Sequence, residues 1–276
     1  MRLPYGKNIL ITGASSGIGL TSALLFAKSG FNVWGVSRSG SLPENIPVAI
    51  RMHRMDVTDE QSVCKAIDNI LSEAVATSGE GIGIVLHCAG YGIGGAAEDT
   101  PAEEVEKQFK TNYFGVLNVN RCLLKKTKDR KNMLVLVTGS VAGKISIPFQ
   151  SHYSSSKYAL EAYVEALRIE GRPLGIRASI IEPGDTKTKF TSQRTLAFPD
   201  DSPYLVQGKR SIKKMEQDEQ HGADPKLAAA VALRLSKKLH PPVRVAVGFS
   251  SKMILFAKRI VPDRLAEFII AKLYAR

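Results

Sequence analysis

"KNILITGASSGIGLTSALLFAKSG", residues 7–30, joins a short apolar run to a helical pattern through a glycine-rich turn. "KNILITG" has the length and composition of a buried strand. "GIGLTSALLFAKSG" has the length of a helix and closes on Gly30, a residue that enters the left-handed region without a side-chain clash. Gly13, Gly17 and Gly19 stand between the two, with Ser15, Ser16 and Ile18 in the same turn. Bare backbone at such a junction lets the chain reverse sharply, lets a pyrophosphate approach the main chain and lets the helix pack on the sheet. The helix N-terminus adds unpaired N–H groups and the positive end of its dipole. The spacing is Gly-x3-Gly-x-Gly rather than G-x-G-x-x-G, so the reading as a phosphate-binding turn rests on placement between a first strand and a first helix.

Outward from this turn the chain alternates strand and helix patterns. Strands read at 32–38 (NVWGVSR), 48–57 (VAIRMHRMDV), 82–90 (IGIVLHCAG), 132–140 (NMLVLVTGS), 176–184 (IRASIIEPG) and 243–248 (VRVAVG). Helices read at 60–76, at 101–126 as one long element, at 151–171 and from Asp224. Such alternation implies right-handed crossovers and a parallel sheet covered on both faces. The expected fold is α/β, a single doubly wound, Rossmann-type domain over residues 1–276 with about seven strands. Residues 185–223 are rich in charge and turn formers, show no strong period and follow a strand end, which reads as a lid.

A chain of 276 residues, 44% hydrophobic, can bury a full core. No run is long and apolar enough for a spanning helix, and the N-terminus MRLPYGKNIL lacks the features of a secretory signal. Cys64, Cys88 and Cys122 are widely spaced and form no metal-ligand pattern, so a reducing, cytoplasmic setting without metal is expected. The net charge of +12 suits solubility, an anionic small molecule, an anionic membrane or nucleic acid. No nucleic-acid-binding module is legible, and nucleic acid is excluded as a partner.

The end of the second strand separates the two nicotinamide dinucleotides. NAD would be held there by a carboxylate on the ribose hydroxyl, whereas an arginine accommodates the extra phosphate of NADP. Here Ser37 and Arg38 end the strand, and the next acid is Glu44. A planar guanidinium that is always charged can stack on adenine and pair with a dianion, so NADP(H) is the expected cofactor.

In order along residues 7 to about 248, these residues resemble the short-chain dehydrogenase/reductase family. "TGASSGIG" is similar to its cofactor turn and Asp56–Val57 to its adenine-contacting pair. "HCAG" stands where the family has Asn-Asn-Ala-Gly, placing Cys88, Ala89 and Gly90 at the cofactor. Asn112 falls at the position of a site asparagine, Ser140 precedes Tyr153 by the family's spacing, and Lys157 follows. "PGDTKT" is similar to the Pro-Gly turn that closes over nicotinamide, which implies Pro183, Gly184, Thr186 and Thr188. The departure is His87–Cys88 in place of two asparagines, a packed histidine and a small buried hydrophobe.

Tyr153 and Lys157, four apart, share one helix face. A phenol titrates near 10 in water. A fixed ammonium beside it, together with the positive ring of the oxidised cofactor, is expected to favour phenolate and bring the group into working range. Ser154, Ser155 and Ser156 read as small packing residues. Ser140, after a strand end, is expected to hydrogen-bond the substrate oxygen. The resemblance implies that Asn112 distorts its helix and holds a water linked to Lys157. The activity so implied interconverts a ketone or aldehyde and an alcohol; a redox-sensing NADP(H)-binding regulator without turnover is the alternative.

The glycine-rich stretch 91–100 and lid residues Phe190, Leu196, Phe198, Tyr204 and Leu205 suit either a hydrophobic substrate, steroid-, retinoid- or lipid-like, or the lid's own packing. In the tail 251–276, Pro262 divides two short helices. Their apolar stripes are Met253, Ile254, Phe256, Ala257 and Ile260, then Leu265, Phe268, Ile269 and Leu273. Lys252, Lys258, Arg259, Arg264, Lys272 and Arg276 flank them. Such a segment docks on its own domain, on a second subunit of a homo-oligomer, or peripherally on an anionic bilayer. The tail resembles that of the hydroxysteroid- and retinol-dehydrogenase-like branch.

Overall fold

The computed structural model describes residues 3–43, 46, 49–127 and 132–275. Glu44, Val48 at the start of the third expected strand, and Arg276 lie outside the described residues. In chain order the elements are β1 (Asn8–Thr12), α1 (Gly17–Lys28), β2 (Asn32–Ser37), β3 (Arg51–Arg54), α2 (Glu60–Ser78), β4 (Ile84–His87), β5 (Ile93–Gly95), α3 (Ala102–Phe109), α4 (Gly115–Lys126), β6 (Met133–Thr138), α5 (Ser151–Glu170), β7 (Ile176–Glu182), β8 (Thr195–Ala197), α6 (Leu205–Gln220), α7 (Lys226–Ser236), β9 (Arg244–Ala246), α8 (Gly248–Ile260) and α9 (Asp263–Tyr274).

Seven strands form one parallel sheet in the order β3-β2-β1-β4-β6-β7-β9. Side chains alternate across it. Leu10, Trp34, Val85 and Val135 face α2, α4 and α5, whereas Ile9, Ile11, Val33, Leu86 and Leu136 face α1 and α7. Both faces are therefore buried, which is why the central strands read as continuous apolar runs. The strand order reverses direction between β1 and β4, and such a switch point opens a crevice at the carboxyl ends of the strands.

Several expectations need correction. The third strand is only four residues, so Asp56 and Val57 lie in the turn that leads to α2 rather than in the sheet. The expected single helix over 101–126 is two helices joined by a π-helical segment, Lys110–Phe114, centred on Asn112. The region 185–223 is not without structure. Its β8 pairs with β5 from the glycine-rich stretch as a second, two-stranded parallel sheet, and α6 follows. The buried stripe of α6 is Gly208, Ser211, Ile212 and Met215, a helical spacing half made of small polar or bare residues, which hides it from hydrophobic periodicity. The tail is two helices parted at Pro262, as expected.

Candidate active site

The turn after β1 begins with Gly13 at φ +66°, where a Cβ would sit 2.8 Å from the Ala89 nitrogen. Thr12 locks this approach, because its Oγ1 accepts from the backbone N–H of Cys88 at 3.1 Å and of Ala89 at 3.2 Å. A Cβ on Gly19 would meet the Gly13 carbonyl oxygen at 2.2 Å, so the first turn of α1 lies directly on the loop. Ser16 caps α1 without a side-chain hydrogen bond, and no carboxylate stands in the first turn. The helix end is thus left with free donors and a positive field, the arrangement that takes a phosphate.

This turn forms one end of a cleft of ≈ 1410 Å³ at the carboxyl edge of the sheet. Gly13, Ser15, Ser16, Gly17, Ile18 and Gly19 line it, followed by Ser37, Arg38, Asp56 and Val57, then Cys88, Ala89 and Gly90, and across the cleft Pro183, Gly184, Thr186 and Thr188. Ser140, Tyr153 and Lys157 line it as well. Arg38 is exposed, while Ser37 Oγ accepts from the Gly40 N–H at 3.1 Å. Asp56 Oδ1 accepts from Thr58, and Val57 packs against Gly115 beside the π-helical segment. Thr188 packs over Gly17, and its Oγ1 accepts from the Phe190 N–H. The dimensions and donors fit a nicotinamide dinucleotide with room for a second molecule, since most single-ligand pockets enclose roughly 300–1,000 Å³.

Asn112 does not line the cleft. It is buried behind it, where Nδ2 donates to the Tyr91 carbonyl (2.9 Å) and Ser156 Oγ (3.1 Å) and Oδ1 accepts from the Tyr91 N–H (3.0 Å). A π-bulge turns a side chain that an unbroken helix would direct elsewhere. Ser154 and Ser156 are packing residues: Ser154 Oγ accepts from Ile147 and Ser156 Oγ donates to the Tyr153 carbonyl. His87 is buried, hydrogen-bonded to Asn120 at 2.9 Å, and pulled down to about 4 by burial, so it is a neutral packing residue. Cys88 is half-buried, with Sγ 3.3 Å from Thr138 Oγ1, and burial pushes its thiol up to about 11.

Tyr153 and Lys157 lie on the same face of α5, with Nζ 5.7 Å from the tyrosine ring centroid. Only 9% of Tyr153 and 7% of Lys157 are exposed, and that sets their protonation. Burial pushes the Tyr153 phenol up to about 12, against which a hydrogen bond with Ser140 acts downward. Burial pulls Lys157 down to about 8, and its Nζ donates to the Thr138 carbonyl at 2.9 Å. The expected acidification of the phenol by Lys157 is therefore not supplied by the chain's own groups. Desolvation sets both shifts, because each charged form loses water on burial. The chain alone holds Tyr153 as a neutral O–H donor.

Phe190 packs against Tyr153 with ring centroids 5.5 Å apart and planes tilted by 59°. It is the only one of the five apolar lid residues named from sequence that reaches the cleft. Phe198 instead fills the space over Gly208 and beside Phe149. The apolar wall comes from elsewhere: Ile145, Ile147, and the tail residues Ile254, Val261, Ile270 and Leu273. The tail reaches the site because Ser251 of α8 sits on Gly184, where a Cβ would come 2.8 Å from its Oγ. Nothing local to the tail indicated this contact.

Behind the Pro183 turn, Glu182 and Glu161 are both buried. Glu161 is held by Lys144 at 2.9 Å and Arg244 at 3.1 Å. Burial first, and then Glu161, raises Glu182 to about 7 from 4.5. A carboxyl whose folded-state value is raised stabilises the fold while protonated, and that contribution is lost as pH rises through the folded value. Glu182→Gln should therefore gain in melting temperature over the wild type as pH rises through about 7, with little difference near 4.5. A pH series of thermal melts reads the difference, and a constant offset would refute the assignment.

Comparison with known proteins agrees with this geometry. The family model for short chain dehydrogenases matches residues 7–197. A 3-ketodihydrosphingosine reductase of Bacteroides thetaiotaomicron is 36% identical over 271 residues, covering 97% of each chain. An uncharacterized oxidoreductase of Bacillus subtilis is 33% identical, covering 96% of this chain and 98% of its own. Among solved structures, a short-chain dehydrogenase from Streptomyces avermitilis superposes with a TM-score of 0.78 at 27% identity, over 96% of each chain. The glycine turn, the cleft and these relatives together show that the chain belongs to the short chain dehydrogenase family, oxidoreductases that work with a nicotinamide dinucleotide.

Proposed function

We propose that the protein is an NADP(H)-dependent reductase that interconverts a hydrophobic ketone or aldehyde and its alcohol. One observation carries the reading: Tyr153, hydrogen-bonded to Ser140 and one helical turn from Lys157, faces the same cleft as the glycine turn. In this reading Gly13, Ser15, Ser16, Gly17, Ile18 and Gly19 hold the pyrophosphate. Ser37 and Arg38 meet the ribose phosphate, and Asp56 and Val57 the adenine. Cys88, Ala89, Gly90, Pro183, Gly184, Thr186 and Thr188 enclose the remainder. When bound, NADPH supplies the hydride. Ser140 Oγ orients the substrate oxygen, and Tyr153 Oη passes it the proton that burial keeps on the phenol. Lys157 recharges that position, with Asn112 fixing the wall behind it. Residues 185–223 close over the bound pair as a lid.

NADP rather than NAD is supported by Arg38, which lines the cleft with no carboxylate beside it on β2. A hydrophobic substrate is supported by the apolar wall and by the Bacteroides relative, whose name gives 3-ketodihydrosphingosine, a ketone on a long-chain lipid, as its substrate. The three cysteines are free, which supports a cytoplasmic setting.

The test is consumption of NADPH, with NADH beside it, over ketones graded by chain length. The reading expects NADPH use that improves with chain length; no consumption with any ketone would end it. In the same assay Arg38→Glu should weaken NADPH, read as KM, by about 10–100-fold, since it replaces a charge-assisted phosphate contact with repulsion. An unchanged preference would remove Arg38 from that role.

A further inference from the structure

The two tail helices are apolar on two adjacent faces, of which one walls the open cleft, with Ile254, Ile269 and Leu273 on it still 47%, 44% and 56% exposed. On α8, Ser250, Ile254 and Ala257 line the cleft with Val261 just beyond its end, and on α9, Ala266, Ile269, Ile270, Leu273 and Tyr274 do so. One residue earlier in register runs a second stripe, Phe249, Met253, Phe256 and Ile260, which lines nothing and is 80%, 51%, 59% and 68% exposed. A one-residue offset on a helix is a rotation of about 100°, so this stripe lies on the flank beside the cleft-lining face. On α9, Leu265 is 49% exposed and likewise absent from the cleft lining. Monomeric soluble proteins seldom leave so many contiguous large apolar side chains in water.

The rim of this face decides what covers it. Lys252, Arg259, Arg264 and Lys272 are exposed around the apolar stripe against the exposed acid Glu267, while Lys258 is paired with Asp263, so the rim is net basic. Helix α6 packs on α9, where Gln207 Nε2 donates to the Ala275 carbonyl, and it adds exposed Lys209, Arg210 and Lys213 beside exposed Val206. A symmetric pairing of two copies through this face would bring like charges together around the contact. An anionic lipid surface satisfies both features, since apolar side chains enter the acyl boundary while lysine and arginine meet the headgroups.

Resting on the reductase reading for what the cleft does, we propose that the outer face of α8–α9, with the start of α6, docks on an anionic bilayer. The same two helices then wall the cleft with one face and touch lipid with the adjacent one, so a membrane-resident ketone passes from bilayer to cleft without crossing water. Among the described residues no helix is long and apolar enough to cross a membrane, so the contact is interfacial.

The full chain is tested by co-sedimentation with phosphatidylcholine vesicles with and without phosphatidylglycerol. Binding should require phosphatidylglycerol and weaken with salt. The combined variant Phe249→Ser, Phe256→Glu, Ile260→Glu should bind at least about tenfold less. A second variant, Lys252→Glu with Arg259→Glu, should lose the phosphatidylglycerol dependence. Both should keep wild-type turnover of a water-soluble short ketone, yet lose turnover of a long-chain ketone presented in vesicles. Absence of vesicle binding by the wild type, or equal binding by the combined variant, overturns the proposal. So does light scattering that shows a dimer dissolved by the same substitutions with no vesicle dependence. If vesicle binding behaves as expected but no ketone is reduced, the docking surface stands and the reductase reading fails.

Discussion

Tyr153→Phe is expected to slow ketone reduction by about 10²–10⁴-fold, the usual worth of a positioned general acid, while leaving NADPH affinity within about threefold of the wild type. The substitution removes one oxygen from a ring that is only 9% exposed and packed against Phe190, so the ring's packing is kept. Ser140 keeps its other partner, because its Oγ also accepts from the Ala142 N–H at 3.0 Å. What disappears is the proton itself. Because burial holds the phenol up to about 12, the wild type remains a competent donor across the neutral range, and its loss cannot be offset by raising or lowering pH in that range. Single-turnover rates with saturating NADPH measure the chemical step, and cofactor titration measures binding separately. Intact turnover of every accepted ketone would remove Tyr153 from the mechanism. Equal losses of binding and turnover would make it a structural residue of the cofactor pocket.

Gly19→Ala is expected to destabilise the fold by about 3 kcal/mol, a large part of the roughly 5–15 kcal/mol that holds a domain together. Alanine is ordinarily favoured over glycine inside a helix by up to about 1 kcal/mol, so propensity alone predicts the opposite sign. The new methyl would lie 2.2 Å from the Gly13 carbonyl oxygen and 2.7 Å from its carbon, and these are backbone atoms that no rotamer change can move. The loop in turn is pinned, since Gly13 abuts Ala89 and Thr12 holds both Cys88 and Ala89. Relief requires α1 to lift from the sheet, which opens the end of the cleft that the dinucleotide phosphates would use. The midpoint of urea unfolding should fall without a change in its slope, and NADPH binding should weaken with it. A variant as stable as the wild type would show that the turn is looser than its packing implies.

The class of fold was legible because both faces of the sheet are buried. "NILIT", "IVLH" and "MLVLVT" read as apolar runs with helices of ordinary length between them. The cleft residues were legible for a related reason. A turn packed this closely tolerates only glycine at Gly13 and Gly19, where a Cβ would meet the backbone of Ala89 and of Gly13, so the packing leaves a mark at fixed positions. The distortion at Asn112 was implied by the family resemblance and not by its residue type, since Asn118 and Asn120 sit in unbroken α4, and its form as a π-helical segment was not legible. By contrast, α6 escaped because Gly208 and Ser211 make half of its buried stripe and leave only Ile212 and Met215 as apolar signal. The short β5–β8 pair escaped because Gly94 and Gly95 show no strand preference until Ile212 and Ala197 pack on them.

The order of residues along the chain was enough to place a parallel α/β sheet, a glycine turn between the first strand and the first helix, and Tyr153 with Lys157 on one helix face, since each depends on spacing within one or two neighbouring elements. Protonation and the make-up of the apolar wall depend instead on groups far apart in the chain. Burial by surrounding elements keeps Tyr153 a neutral phenol, and the seating of Ser251 on Gly184 brings α8 and α9 over the cleft. Desolvation and packing are sums over neighbours that meet only when the chain has folded, and no local pattern encodes them.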